Sequence, residues 1–234
     1  MKYPYKEVVM DHTRHWDIIT PTLTQATSVG LIGTGGIGAI TALGLAKLGI
    51  GYLALFDDDT VEPENIVTQF LKLSDIGNPK VTSVATMLKE FSDVSGMAYI
   101  KRVQRLTEMP TVDILISTVD SIKARQDIWW NLAPKWSVLT RPKFYLDARM
   151  GAEVLHLYTV RYGDSDWYSS QLLALSDDMV PDEPCTAKST IYTALFAGGH
   201  VVQAVKRIIM DQPQPKVVIH SIAYDRLDVS AESA

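Results

Sequence analysis

Apolar and polar positions along this chain follow two periods. Short continuous apolar runs predict strands buried on both faces, and stretches with apolar residues three and four apart predict helices packed on them. The pattern predicts a strand over Val29–Ile32, a helix from a glycine-rich turn to Leu48, and a second strand over Tyr52–Phe56. Further strands are expected over Ala98–Val103, Val112–Thr118, Phe144–Arg149, Glu153–Tyr162 and Lys216–Ala223. Pro79 opens a helix, PKVTSVATMLKEF, at a position where its missing N–H costs nothing. SIKARQDIWWNL predicts another helix, and Gly163–Glu183 reads as a turn-rich excursion holding one helix around Trp167–Leu175. Thr186–Met210 reads as a single helix, apolar nearly all round and therefore largely buried, with Gly198 and Gly199 marking close packing. Gly151 suits a turn between its flanking strands, and the tail DRLDVSAESA is expected to fray. Strands alternating with helices give an α/β class: a Rossmann-like doubly wound mixed sheet with helices on both faces.

Residues 1–25 mix aromatic and charged side chains (Tyr3, Tyr5, His12, Arg14, His15, Trp16) at helix-compatible spacing, ending at Pro21. They are expected to form an amino-terminal helical arm on the core or on a partner subunit, with residues 26–234 as a single domain. No internal repeat or low-complexity linker interrupts the chain.

The 234 residues are 47% hydrophobic and 21% charged with a net charge of −5, so nucleic acid is disfavoured as the main partner. No apolar run approaches the ~20 residues needed to span a bilayer. The amino terminus, MKYPYKEVVMDHTRH, lacks a continuous apolar segment, and a cytoplasmic location is expected. The single cysteine, Cys185, leaves neither an internal disulfide nor a CxxC-type zinc site. That thiol is either an inert small apolar group or a reactive one. A predicted helix start favours its thiolate, while the nearby acids Asp178, Asp182 and Glu183 oppose it.

Candidate chemistry gathers after the first strand. Gly33, Gly35, Gly36 and Gly38 permit a sharp turn and let phosphate oxygens approach the amides at a helix amino terminus. Asp57, 24 residues after Gly33 at the end of the second strand, is placed to accept hydrogen bonds from ribose hydroxyls. Taken alone, these two features also suit a nicotinamide-dependent oxidoreductase. The polar run DDDTVEPENIVTQ then crosses the ligand-binding edge of the sheet, where Asn65 and Gln69 share a face or cap the loop. Lys80 sits in a helix first turn, against the dipole, a conflict that a nearby anion would remove. Asp120 ends the fourth strand on the same edge. With Asp57 it suits Mg²⁺ beside a polyphosphate, or it serves only the cap of the following helix through Ser121.

The ordered set GTGGIG, DDDTVEPENIVTQ, IGNPK and STVD followed by Arg125 resembles the ThiF/MoeB and ubiquitin-activating-enzyme superfamily. The resemblance runs from about Arg14 to about Asp120, and more loosely to Arg207. It implies an ATP-dependent adenylyltransferase that activates a carboxyl terminus as an acyl-adenylate, with release of pyrophosphate. The substrate would be a ubiquitin-like or sulfur-carrier protein, or a precursor peptide. It implies that Gly33, Gly35, Gly36 and Gly38 shape the ATP turn and that Asp57 holds the ribose. Asp59, Asn65 and Gln69 would line the phosphate edge, Lys80 would contact phosphate, and Asp120 would hold Mg²⁺. Arg14 would reach ATP in the partner subunit of a homodimer. Two departures stand out: Thr68 replaces an arginine found before the glutamine in many members, leaving Lys72 or Arg14 to compensate, and the zinc-binding CxxC pairs are absent. Zinc is therefore not expected. In members that form covalent intermediates a cysteine on a crossover segment accepts the acyl group, and Cys185 is the candidate. The resemblance also admits a tRNA-modifying dehydratase that adenylates a small carboxylate, or a non-catalytic scaffold subunit.

Overall fold

The computed structural model describes residues 10–176 and 189–230. Eight strands form one sheet in the order β3-β2-β1-β4-β5-β6-β7-β8. They are β1 Ser28–Ile32, β2 Tyr52–Asp57, β3 Gly96–Ile100, β4 Ile114–Ser117, β5 Phe144–Gly151, β6 Val154–Arg161, β7 Val217–Ser221 and β8 Arg226–Val229. The first five are parallel, and β6, β7 and β8 add antiparallel.

Parallel neighbours require crossovers, and helices supply them. α1 Pro21–Gln25 precedes β1, α2 Gly36–Leu48 links β1 to β2, α3 Lys80–Phe91 links β2 to β3, and α4 Ile122–Leu132 links β4 to β5. α5 Ser165–Leu173 follows β6, and α6 Ile191–Ile209 precedes β7. One core layer packs α2, α3 and α6 on one face of the sheet, and a second, rich in aromatic rings, packs α4 and α5 on the other. β1 and β4 are buried nearly throughout, which is why their sequences read as unbroken apolar runs. Glycines bring α2 and α6 together: a Cβ on Gly44 would lie 2.6 Å from Val202, and one on Gly198 would lie 2.5 Å from Ile40.

β1 pairs with β2 on one side and β4 on the other. The connections leave it in opposite directions and open a crevice at the carboxyl ends of β1 and β4.

Four local expectations are corrected. The tail pairs as β8, because its backbone completes the β7 edge although all four of its residues are exposed. The β5–β6 turn places Ala152, not Gly151, in the left-handed region at φ 47°. α6 is amphipathic: Tyr192, Leu195 and Phe196 are exposed, and nothing lies within 4 Å of a Cβ on Gly199. Pro21 opens α1, and Arg14 sits in a separate 3₁₀ turn, Thr13–His15. Among the described residues no helix is long and apolar enough to cross a membrane.

Candidate nucleotide site at the carboxyl edge of the parallel strands

The glycine turn occupies the crevice. Gly33 adopts φ 91° and its N–H donates to the Phe56 carbonyl at 2.8 Å, tying the turn to β2. A Cβ on Gly38 would fall 2.0 Å from the Gly33 carbonyl oxygen, so the turn closes only over glycine. Gly35 caps α2 by backbone alone, with no side chain bonded to the first-turn amides. Those donors carry the positive end of the helix dipole and are the natural seat for a phosphate.

Asp57 fastens this turn. Its Oδ2 accepts from the Thr34 N–H at 2.6 Å and the Thr34 hydroxyl at 2.8 Å, and its Oδ1 accepts from the Asp59 N–H at 2.9 Å. A carboxylate accepts about four bonds, so Asp57 retains capacity for a ribose hydroxyl while holding the loop. Thr34, fully buried, carries no sequence signal of its own beyond sitting among the glycines.

Asp59 reaches Lys80 at 2.8 Å, with the lysine side chain 11% exposed and the carboxylate 63% exposed. The strand end is zipped to the start of α3 by Lys80 N–H to Asp59 carbonyl and Val61 N–H to Asn78 carbonyl, both at 2.9 Å. Lys80 therefore lies along the protein with its ammonium at the open edge, beside a partner that solvent screens. Carboxylate oxygens of Asp57, Asp58 and Asp59 lie within 4.8 Å of one another. Hard oxygen donors of this kind, with Asp120 on the same edge, fit Mg²⁺, which takes one or two protein carboxylates together with phosphate oxygens.

The loop after β2 closes the site from above. Asn65 Oδ1 accepts from the Glu62 N–H at 2.9 Å, so this side chain caps the 3₁₀ turn Pro63–Asn65. Gln69 differs: its Oε1 is buried without a hydrogen-bond partner, and its Nε2 lies 3.8 Å from the Cβ position of Gly35. The Thr68 carbonyl, Met150 and Ala194 stand 3.4 to 3.5 Å from the Cβ position of Gly36. Met150 and Ala194 come from β5 and α6, elements far from the turn along the chain. Lys72 pairs with Glu90 on α3.

Thr118 stitches the end of β4 to the glycine turn, its hydroxyl donating to the Gly33 carbonyl at 2.7 Å. Asp120 follows, exposed on this edge, while Ser121 caps α4 by accepting from the Ala124 N–H at 3.1 Å. Arg125, buried on α4, donates to the Val119 carbonyl and holds this turn from beneath.

Arg14 is not brought to this site by its own chain. It is exposed beside His12, whose ring would lie 2.8 Å from a Cβ on Gly49. Gly49 caps the carboxyl end of α2, a 13-residue helix, so the glycine turn is roughly 20 Å away. Cys185 lies outside the described residues.

A doubly wound sheet with a glycine turn feeding an uncapped helix, and acids and a lysine on the same edge, defines a nucleotide-binding α/β protein. The chain belongs to the ThiF family, whose model matches residues 22–230. It is 33% identical over 116 residues to ubiquitin-like modifier-activating enzyme 5 of Bombyx mori, and 32% identical over 117 residues to that of Xenopus laevis. Each match covers 43% of this chain and 30% of the relative, so less than a third of those enzymes is represented. Among solved structures, E. coli MccB with ATP superposes with a TM-score of 0.71 at 18% identity, over 90% of this chain and 65% of that one. PaaA superposes with a TM-score of 0.68 at 19% identity, over 90% and 74% respectively. At these identities the likeness establishes the fold.

Proposed function

We propose that this protein is an ATP-dependent adenylyltransferase that activates a carboxyl terminus as an acyl-adenylate. The terminus belongs to a ubiquitin-like or sulfur-carrier protein, or to a precursor peptide. One observation carries the reading. The uncapped α2 amides, the unpartnered Gln69 oxygen and the Lys80 ammonium converge on one sheet edge of a ThiF-family chain. The names of the relatives, and the ATP in the MccB structure, support ATP over a nicotinamide dinucleotide.

In the reaction the substrate carboxylate oxygen bonds to the α-phosphorus, and the bond from that phosphorus to the bridging oxygen breaks, releasing pyrophosphate. The nucleophile is already ionised near pH 7, so no general base is required. What the site must do is bring two anions together and neutralise the charge growing on the departing group. The α2 amides and Lys80 supply fixed positive potential, and Asp57 orients the turn and the ribose. Mg²⁺, when bound, adds charge neutralisation on the phosphate oxygens, with Asp120 and the Asp57–Asp59 run as its protein donors.

Arg14 acts from a second copy of the chain. This assignment rests on its distance from its own turn and on the exposed apolar side of α6, where Tyr192, Leu195 and Phe196 offer a face for a symmetric dimer.

Carboxylate-dependent exchange of labelled pyrophosphate into ATP tests the reading, with a ubiquitin-fold protein or peptide ending in Gly-Gly as the acyl substrate. Lys80→Ala and Asp120→Ala should each lower exchange about a hundredfold or more, the effect of one lost charge contact to a reacting phosphate, without changing the fold. Mixing Arg14→Ala with Asp120→Ala subunits should restore part of the activity. Wild-type exchange in Lys80→Ala would sink the assignment, and no rescue between exchanging subunits would sink the action in trans.

A further inference from the structure

We propose that Asp147 is a positioning residue for adenylation, setting through Arg125 the turn that carries Asp120. The inference rests on the reading of Asp120 as a holder of Mg²⁺ beside ATP.

Asp147 lies on β5 opposite Ser117, the last residue of β4, and is fully buried. Its Oδ1 pairs with Nη1 of Arg125, which is 3% exposed. The same Nη1 donates to the Ala148 carbonyl at 3.2 Å, and Nη2 donates to the carbonyl of Val119, the residue before Asp120. One planar fork thus joins the middle of β5 to the turn after β4. The other carboxylate oxygen accepts from Arg149 Nε at 2.8 Å and from the Tyr168 hydroxyl at 2.6 Å. Burial opposes ionisation of Asp147, but Arg125 and Arg149 more than offset it and hold the carboxyl below the usual range.

The arrangement is poorly explained by stability. Removing three charges from water is unfavourable enough that a well-packed apolar trio would hold β5 to α4 and α5 as firmly, or more so. Apolar side chains cannot bond the Val119 carbonyl. What the ion network adds is a directional tether, built on a rigid strand and ending one residue from Asp120.

Calorimetric ATP binding with Mg²⁺ and with EDTA reads this directly. In the wild type Mg²⁺ should tighten ATP binding, and Asp120→Asn should remove the tightening. Arg125→Lys keeps a buried cation against Asp147 but has no planar fork to reach Val119 as well. It should fold, bind ATP in EDTA as the wild type does, and lose about tenfold of the Mg²⁺-dependent tightening. In an Asp120→Asn background it should cause no further loss. Asp147→Asn should behave as Arg125→Lys does. Tyr168→Phe, which removes a bond to Asp147 on the side away from Arg125, should lower the melting temperature and leave the tightening intact. Full tightening in folded Arg125→Lys, or additive losses with Asp120→Asn, overturns the proposal. If wild-type binding ignores Mg²⁺ and Asp120→Asn changes nothing, the role of Asp120 itself has failed.

Discussion

At the carboxyl ends of β1, β2 and β4 the polar atoms are left open. The α2 amides have no side-chain cap, the Gln69 oxygen has no partner, and Lys80 meets an acid that is mostly in water. On the next strand of the same sheet, β5, the opposite holds. There both carboxylate oxygens of Asp147 are engaged by the protein itself, through Arg125, Arg149 and the Tyr168 hydroxyl. Open donors and acceptors at one strand end, against a carboxylate fully engaged on the neighbouring strand, mark the first as the place where a ligand would find partners. On the proposed function the first region receives a partner molecule, and on the proposed role of Asp147 the second holds that region in place.

The largest break in this contrast should come from Gly38→Ala. The new methyl, on α2, would meet the Gly33 carbonyl oxygen at 2.0 Å, and that carbonyl is held by the Gly33 N–H bond to Phe56 and by the Thr118 hydroxyl. Neither can yield without opening the turn. A loss of about 3 kcal/mol by urea unfolding is expected, at the top of the usual range for overpacking, together with loss of ATP binding. A variant of wild-type stability would mean that the turn relaxes easily and is not the fixed cradle described.

A smaller effect should separate binding from folding. Gln69→Met keeps length and removes an oxygen that the protein leaves unpaired. Deleting an unsatisfied buried acceptor is neutral or mildly stabilising, so unfolding should shift by less than about 1 kcal/mol. If the glutamine bonds the nucleotide, calorimetric ATP affinity should fall about tenfold, the worth of one good hydrogen bond. A variant that loses stability but not affinity would place Gln69 with the closed region instead.

The same contrast explains what could be read from the sequence. Glycines, Asp57, Lys80 and Asp120 stand out because each violates a local expectation: too many residues without Cβ at a helix start, a lysine against a dipole, acids at strand ends. The parallel strands were visible because burial on both faces leaves unbroken apolar runs. Thr34, Thr118 and Met150 were not visible, since their roles depend on which strand ends the topology brings together. The ion network of Asp147 and Arg125 is not legible, although Arg125 stands in the family pattern, because sequence does not show burial. The tail misled because an edge strand that stays exposed has no apolar signature, only a neighbouring backbone to pair with. α6 misled for the converse reason: Tyr192, Leu195 and Phe196 are apolar but face outward, and composition alone cannot distinguish a buried side from an exposed one.

The smallest effect concerns two adjacent glycines on that helix. A Cβ on Gly198 would lie 2.5 Å from Ile40 Cγ2 and 2.8 Å from Ile40 Cβ, where α2 and α6 touch. Gly199, one position around the helix, has nothing within 4 Å, and neither glycine has a positive φ. In the middle of a helix glycine is about 1 kcal/mol less favourable than alanine, because it leaves the unfolded chain more freedom to lose. Gly199→Ala should therefore stabilise the isolated subunit and raise its melting temperature by about 2–4 °C, as expected for a chain of this size. Gly198→Ala should lower it, since the methyl pushes two packed helices apart. Measured across a dilution series, the Gly199→Ala gain should be largest at low protein concentration. It should shrink where subunits associate, because a dimer meeting on this face has to accommodate the added methyl. A gain independent of concentration, in a protein that demonstrably dimerises, would move the dimer contact away from the exposed side of α6.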